Sequence, residues 1–302
     1  MEVLYGIIDT LLPFEWTEFD FMKNALLAVL LISPLFGLVG TAVVSNRMSF
    51  FSDALGHSAL TGIAIGVLMG VDNYLLSMLG FALLFALGIS AVLETGNSSA
   101  DTIIGVFSAT GLALGVVLLS ASGGFAKYSA YLVGDILTVQ PNELLLLLFI
   151  LIGVVLVWIF GYNKLLLTGL NEDLAAGKNV RVRVVNRLFA IVLAVIVTIS
   201  IKWVGMLIIN SLLVLPAAAS RNLARNTAAY HGLSVGISLV SGVAGLILSY
   251  YWGIATGGTI VLVAAVIFFG TFLFSRCRAG LRKGESLDIQ KRVSDFAGQR
   301  AF

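Results

Sequence analysis

Charge, proline and cysteine are what this sequence has least of, and each scarcity excludes something. Only 11% of the 302 residues are Asp, Glu, Lys or Arg, while 59% are hydrophobic and the mean hydropathy is +1.03. A soluble domain carries about a quarter of its residues charged, so a water-facing globular fold is excluded. Four prolines interrupt few helices. The single cysteine, Cys277, excludes an intramolecular disulfide and any Cys-rich metal cluster. No GxxxxGK(S/T) stretch occurs, so the chain does not bind ATP through a phosphate loop of its own. There is no HExxH, only two histidines and no recognisable nucleophile–base set, which argues against a membrane protease or another membrane enzyme. No basic residue precedes Lys23, and residues 1–20 are acidic and amphipathic. The first segment therefore reads as an extracytoplasmic amphipathic N-terminus, 1–22, and not as a signal peptide.

What is present is glycine, at 32 residues, and apolar runs near the roughly 20 residues that cross a bilayer as a helix. The expected fold class is all-α and polytopic. Nine membrane-crossing segments are predicted near 23–45, 51–70, 72–93, 101–121, 142–161, 186–202, 204–220, 228–251 and 257–275, making 23–275 the transmembrane unit. Between the fourth and fifth, KYSAYLVGDILTVQPNE is too short and too mixed to cross, and is expected as an interfacial or re-entrant turn. WVG alone joins the sixth and seventh, which implies a tight hairpin or a broken pair. Fifteen of the 18 Lys and Arg fall on one side: Arg47, Lys164, Lys178, Arg181, Arg183, Arg187, Arg221, Arg225 and the seven from Arg276 to Arg300. That asymmetry makes this side, and the C-terminus, cytoplasmic, and an odd number of spans puts the N-terminus outside. The basic tail 276–302 is expected to be partly disordered or to lie on the membrane surface.

One stretch breaks the apolar pattern. FFSDALGHSAL, residues 50–60, carries Asp53 and His57 four positions apart, with no other ionisable side chain from Phe50 to Val71. At i and i+4 they share a helix face, while Gly62, Gly66 and Gly70 fall near the opposite face, where a neighbouring helix could approach closely. A carboxylate with an imidazole suits Zn²⁺ or Mn²⁺. One helix supplies two ligands, and two copies at a twofold axis would supply four. The alternative is structural: Ser52-Asp53 as an N-cap for a helix starting at Ala54, with His57 bonded to a carbonyl in a packed core. On residues alone both readings stay open.

Five collinear stretches carry a family resemblance: NRMSFFSDALGHSALTGIAIG (46–66), DTIIGVFSATGLALGVVLLS (101–120), YLVGDILTV (131–139), VGMLIINSLLVLPAAASRNLAR (204–225) and TGGTIVLVAAVIFF (256–269). Together they resemble the zinc/manganese permeases of ATP-binding-cassette importers over Leu26 to Phe274. The resemblance implies a helical permease of the importer type in a bacterial cytoplasmic (inner) membrane, working as a homodimer. Implied partners are cytoplasmic ATPase subunits, an extracytoplasmic metal-binding protein and membrane lipid, with no nucleic acid. It implies no cofactor: Zn²⁺ or Mn²⁺ would be the transported substrate, held in transit by Asp53 and His57. MSFF-DALGHSAL and KWVGMLIINSLLVLPAAA look nearer the zinc branch, leaving Mn²⁺ or Fe²⁺ import as the alternative. An ATPase-independent secondary transporter would predict several compensating intramembrane charges or an inverted repeat, and neither is found.

The remaining features are weighed the same way. In LNEDLAAGKNVRVRVVN (170–186), Asn171 is placed to cap a short helix with Glu172 and Asp173 in its first turn and Gly177 at its end. In the family this position carries the helix that couples to the ATPase. Pro216 is expected to fix a kink in span seven. Asp135 is read as the cap of a following turn, Asp101 as the cap of span four, and His231 as a packing or surface residue.

Overall fold

The computed structural model describes residues 2–96, 98–123, 128, 134–170 and 172–298. Every regular element among them is helical. The helices are α1 (Glu2–Leu11), α2 (Asp20–Ser45), α3 (Phe51–Leu68), α4 (Tyr74–Leu93), α5 (Ala100–Ala121), α6 (Pro141–Leu170), α7 (Glu172–Gly177), α8 (Val182–Val204), α9 (Met206–Leu223), α10 (Thr227–Trp252) and α11 (Thr256–Gly298), with short 3-10 turns at Glu15–Glu18 and Ile136–Thr138. Nine of these, α2 to α6 and α8 to α11, are long and apolar enough to cross a membrane, matching the expected nine. Two run further than expected. The fifth span continues to Leu170 instead of ending near 161, and the basic tail, expected to be partly disordered or to lie on the membrane surface, continues α11 as helix to Gly298.

Two packed groups make up the bundle. In the first, α2 contacts α6, α9 and α10, and α11 closes against α9 and α10. In the second, α3 lies between α4 and α5, with α8 against α4. The most buried helices are α2 and α3, one at the centre of each group. WVG is therefore a broken pair: α8 joins the second group and α9 the first, parting at Gly205, whose φ of 78° and ψ of 159° no helix contains. Against this break lies Gly134, also left-handed at φ +64°, where a methyl group would collide with the Gly205 backbone. Only glycine at position 134 permits that approach.

Capping fixes the ends. Ser99 accepts from the Thr102 N–H and caps α5, so the cap expected from Asp101 belongs to Ser99, and Asp101 stands exposed in the first turn. Asp135 does cap its turn, accepting from the Leu137 N–H at 3.0 Å. Of the mixed stretch 127–143, residues 127 and 129–133 lie outside the described residues. Within it Tyr128 is buried and donates to the Tyr74 hydroxyl at 2.9 Å. At the basic end Arg187 of α8 holds Glu94, just past α4, through two bonds of 2.6 Å. The guanidinium keeps the Glu94 carboxyl below the usual carboxylate range. At the opposite end Lys23 is buried and pairs with Asp9 of α1 at 2.7 Å, which ties α1 to α2. Pro216 sits buried inside α9 without ending it.

Candidate functional site

Helix α3 begins at Phe51, not Ala54, and Phe50 before it makes no side-chain cap. Asp53 is therefore inside the first turn, and its oxygens are engaged elsewhere. Oδ1 accepts from Asn210 Nδ2 of α9 at 2.9 Å, and Oδ2 accepts from Ser108 Oγ of α5 at 3.4 Å. His57 Nε2 stands 3.4 Å from the same Oδ2. The cap reading of Asp53 is thereby replaced: three side chains from three helices converge on its carboxylate.

Asp53 is 39% exposed at its side chain and His57 18%, and both open into a cleft of about 390 Å³ between α3 and α5. Phe50, Asp101 and Gly105 stand at its rim. The pair occupies the first two turns of α3, toward the end of the bundle that carries Arg47, and not its middle. Asp101 adds a second negative charge at the mouth, which favours the approach of cations. Within one chain the ligand set is incomplete. No group of three or more His, Cys, Asp or Glu able to hold a metal occurs among the described residues. His57 Nδ1 is buried without a protein partner among them.

The back of α3 is as glycine-rich as expected, with one correction. A methyl group on Gly62 would lie 2.7 Å from Met78 Cα, and one on Gly66 2.6 Å from Ser77 Oγ, so α4 packs directly on these two positions. Gly70 takes no part: at φ +67° it lies past the helix end with open space around it. Thr61, which the helical period sets about 80° round α3 from Asp53, is fully buried and donates to the Gly111 carbonyl of α5. Helical angle placed it correctly beside Asp53, but α5 occupies that sector.

Asn210 and Ser108 were not singled out from sequence. Asn210 had a signal, because Asn210 and Ser211 are the sole polar residues from Met206 to Leu215. Ser108 had none, being one small hydroxyl among many. His231 is a packing residue, its Nδ1 2.8 Å from Thr41 Oγ1 and its ring against Trp158, Tyr162 and Tyr230. Of the coupling residues, Asn171 lies outside the described residues. Glu172 and Asp173 begin α7 as expected, and Gly177 is its last residue. The left-handed residue that follows is Asn179, at φ 57°, and not Gly177.

The model of the ABC 3 transport family matches residues 18–275. The high-affinity zinc uptake system membrane protein ZnuB of Haemophilus influenzae is 32% identical over 253 residues, 83% of this chain and 96% of that protein. The manganese import system permease protein ScaB of Streptococcus parasanguinis is 30% identical over 258 residues, 85% and 92% of the two chains. Among solved structures, PsaBC from Streptococcus pneumoniae in complex with Fab superposes with a TM-score of 0.74 at 26% identity, covering 90% of this chain and 95% of that one. An inward-facing putative metal-chelate type ABC transporter, with a TM-score of 0.58 at 16% identity over 83% of this chain and 85% of that one, shares the fold. The chain belongs to the ABC 3 transport family, and it is a multi-pass membrane permease subunit, a transport component and not itself an enzyme.

Proposed function

We propose that this ABC 3 permease subunit carries a divalent transition metal, Zn²⁺ ahead of Mn²⁺, across a bacterial inner membrane through a path lined by Asp53 and His57. The observation that carries the proposal is the pairing of His57 Nε2 and Asp53 Oδ2 at 3.4 Å in an open cleft. A carboxylate and an imidazole suit either metal, with zinc favoured by its readiness to take nitrogen in a four-ligand shell while manganese prefers more oxygen. Relatives of both metals are known, so the preference rests on the imidazole. Elemental analysis of the purified complex, equilibrated with equal zinc and manganese, tests it. Zinc should be retained in excess, and predominant manganese would assign the other metal.

Two ligands per chain leave a zinc ion half coordinated, which favours a homodimer with the two clefts facing one another. The exposed face of α5 beside the cleft carries Gly105, Ala109 and Ala113 at four-residue spacing, small enough for a second copy to approach. A cysteine at Ala109 should cross-link between copies, whereas one at buried Thr61 should not. The basic end of the bundle is then cytoplasmic, with the N-terminus outside.

Short, six residues long and followed by Lys178 and Arg181, α7 is suited to dock on a separate ATPase subunit. An extracytoplasmic binding protein would deliver the metal to the opposite face. Replacing Glu172 and Asp173 with lysine should leave the permease folded and ATP hydrolysis intact but no longer tied to uptake. Normal coupling in that variant would remove α7 from the mechanism.

A further inference from the structure

A second cavity lies away from the metal path. Between α6 and α8, with Val39 of α2 as its floor, runs a cleft of about 750 Å³. Its walls are apolar from Val154 to Gly161 on one side and from Val184 to Val192 on the other. Polar groups gather at one end only, where Lys164, Lys178 and Arg181 form the rim. None of the three has a carboxylate within ion-pair distance among the described residues. Val154 to Lys164 covers about 15 Å of helix, close to half the roughly 30 Å hydrocarbon thickness of a bilayer. The cleft is thus one leaflet deep, apolar along that depth, and cationic where headgroups lie.

We propose that this cleft is a binding site for an anionic phospholipid, with an acyl chain between α6 and α8 and the phosphate on Lys164, Lys178 and Arg181. Both halves of the ligand are specified by what faces them. A zwitterionic lipid would fill the apolar cleft equally well but leave three unpaired cations at its mouth. A soluble phosphate compound would match the rim and leave the apolar walls unfilled. The rim also adjoins α7, which Lys178 directly follows, so the bound headgroup would steady the segment between α7 and α8.

Trp158 lines the cleft and supplies the reporter. The complete transporter complex is placed in phosphatidylcholine vesicles containing brominated phosphatidylglycerol or brominated phosphatidylcholine. Quenching of Trp158 is taken as the part of the signal absent from Trp158→Phe. Brominated phosphatidylglycerol should bind on the order of tenfold more tightly than the choline lipid at low salt, and the preference should shrink as ionic strength rises. In K164Q/K178Q/R181Q the preference should fall to about one, while the charge-preserving K164R/K178R/R181K keeps it. Leu188→Phe, which fills the cleft wall, should reduce quenching by both lipids. Equal quenching in the unaltered chain, or a preference surviving the triple glutamine variant, would overturn the headgroup assignment. Cross-linking between copies through a cysteine at Leu188 would show a second chain in the cleft and overturn the lipid itself.

Discussion

His57→Ala and Asp53→Ala should each abolish metal uptake while the permease still inserts, assembles and melts near the unaltered temperature. The reason is the division of labour at α3. Neither side chain caps the helix, which starts at Phe51 without a side-chain cap, so neither loss removes the roughly 0.5–2 kcal/mol that a cap contributes. On the proposed assignment each loss removes one of two ligands per chain, so bound metal should fall from one ion per pair of chains to near none. Asn210→Ala and Ser108→Ala test the carboxylate's surroundings separately. They leave the ligands in place but release Asp53 from its partners, and should weaken metal binding by about 10–100-fold, as outer-shell losses do. Metal stoichiometry and melting temperature measured on the same four variants decide the matter. Full uptake in Asp53→Ala would end the ligand assignment, and a collapse in melting temperature with metal retained would restore a structural role.

The second large effect is steric. Gly62→Leu should prevent stable packing of α3 on α4, because even the first added carbon meets Met78 Cα at 2.7 Å and backbone cannot step aside cheaply. Overpacking a well-filled contact costs about 1–3 kcal/mol when side chains can adjust, and more where they cannot. Gly80→Leu is the matched control: it lies on α4, exposed, with nothing within 4 Å of the added carbon, and should leave folding unchanged. Thermal melting and the yield of monodisperse protein compare the two. Equal stability of Gly62→Leu and Gly80→Leu would mean α3 and α4 are not in direct backbone contact.

The helices were legible in the sequence because a membrane span is written in local composition, and nine apolar stretches became nine helices. Ends were less legible where chemistry did not change at the membrane boundary. Nothing in GYNKLLLTGL (161–170) forbids helix, so α6 simply continues. Asp53 and His57 stood out because ionisable groups are costly in an apolar helix and demand an explanation. Asn210 lies 157 positions from Asp53, and no local pattern records which groups of a bundle meet. Thr61 shows the same limit from the other side. Its angle about α3 follows from the helical period, but the identity of the neighbour filling that direction is a property of the fold.

Glycines on α3 and its neighbours also decide how the site can move. Gly62 and Gly66 seat α3 on α4, Gly111 and Gly115 of α5 lie against Ser58 and Thr61, and Gly56 leaves room for Met206 of α9. Contacts this close behave like keyed surfaces, in which neither rolling nor sliding of one helix is possible without separating the pair. Of the freedoms a lone helix would have, α3 keeps almost none, and Asp53 and His57 travel wherever α3, α4 and α5 travel together. On the proposed path, opening and closing is then a displacement of whole helix groups, with Gly205 as the link between them. The bond from Asn210 to Asp53, which crosses from one group to the other, is the joint most exposed to that displacement.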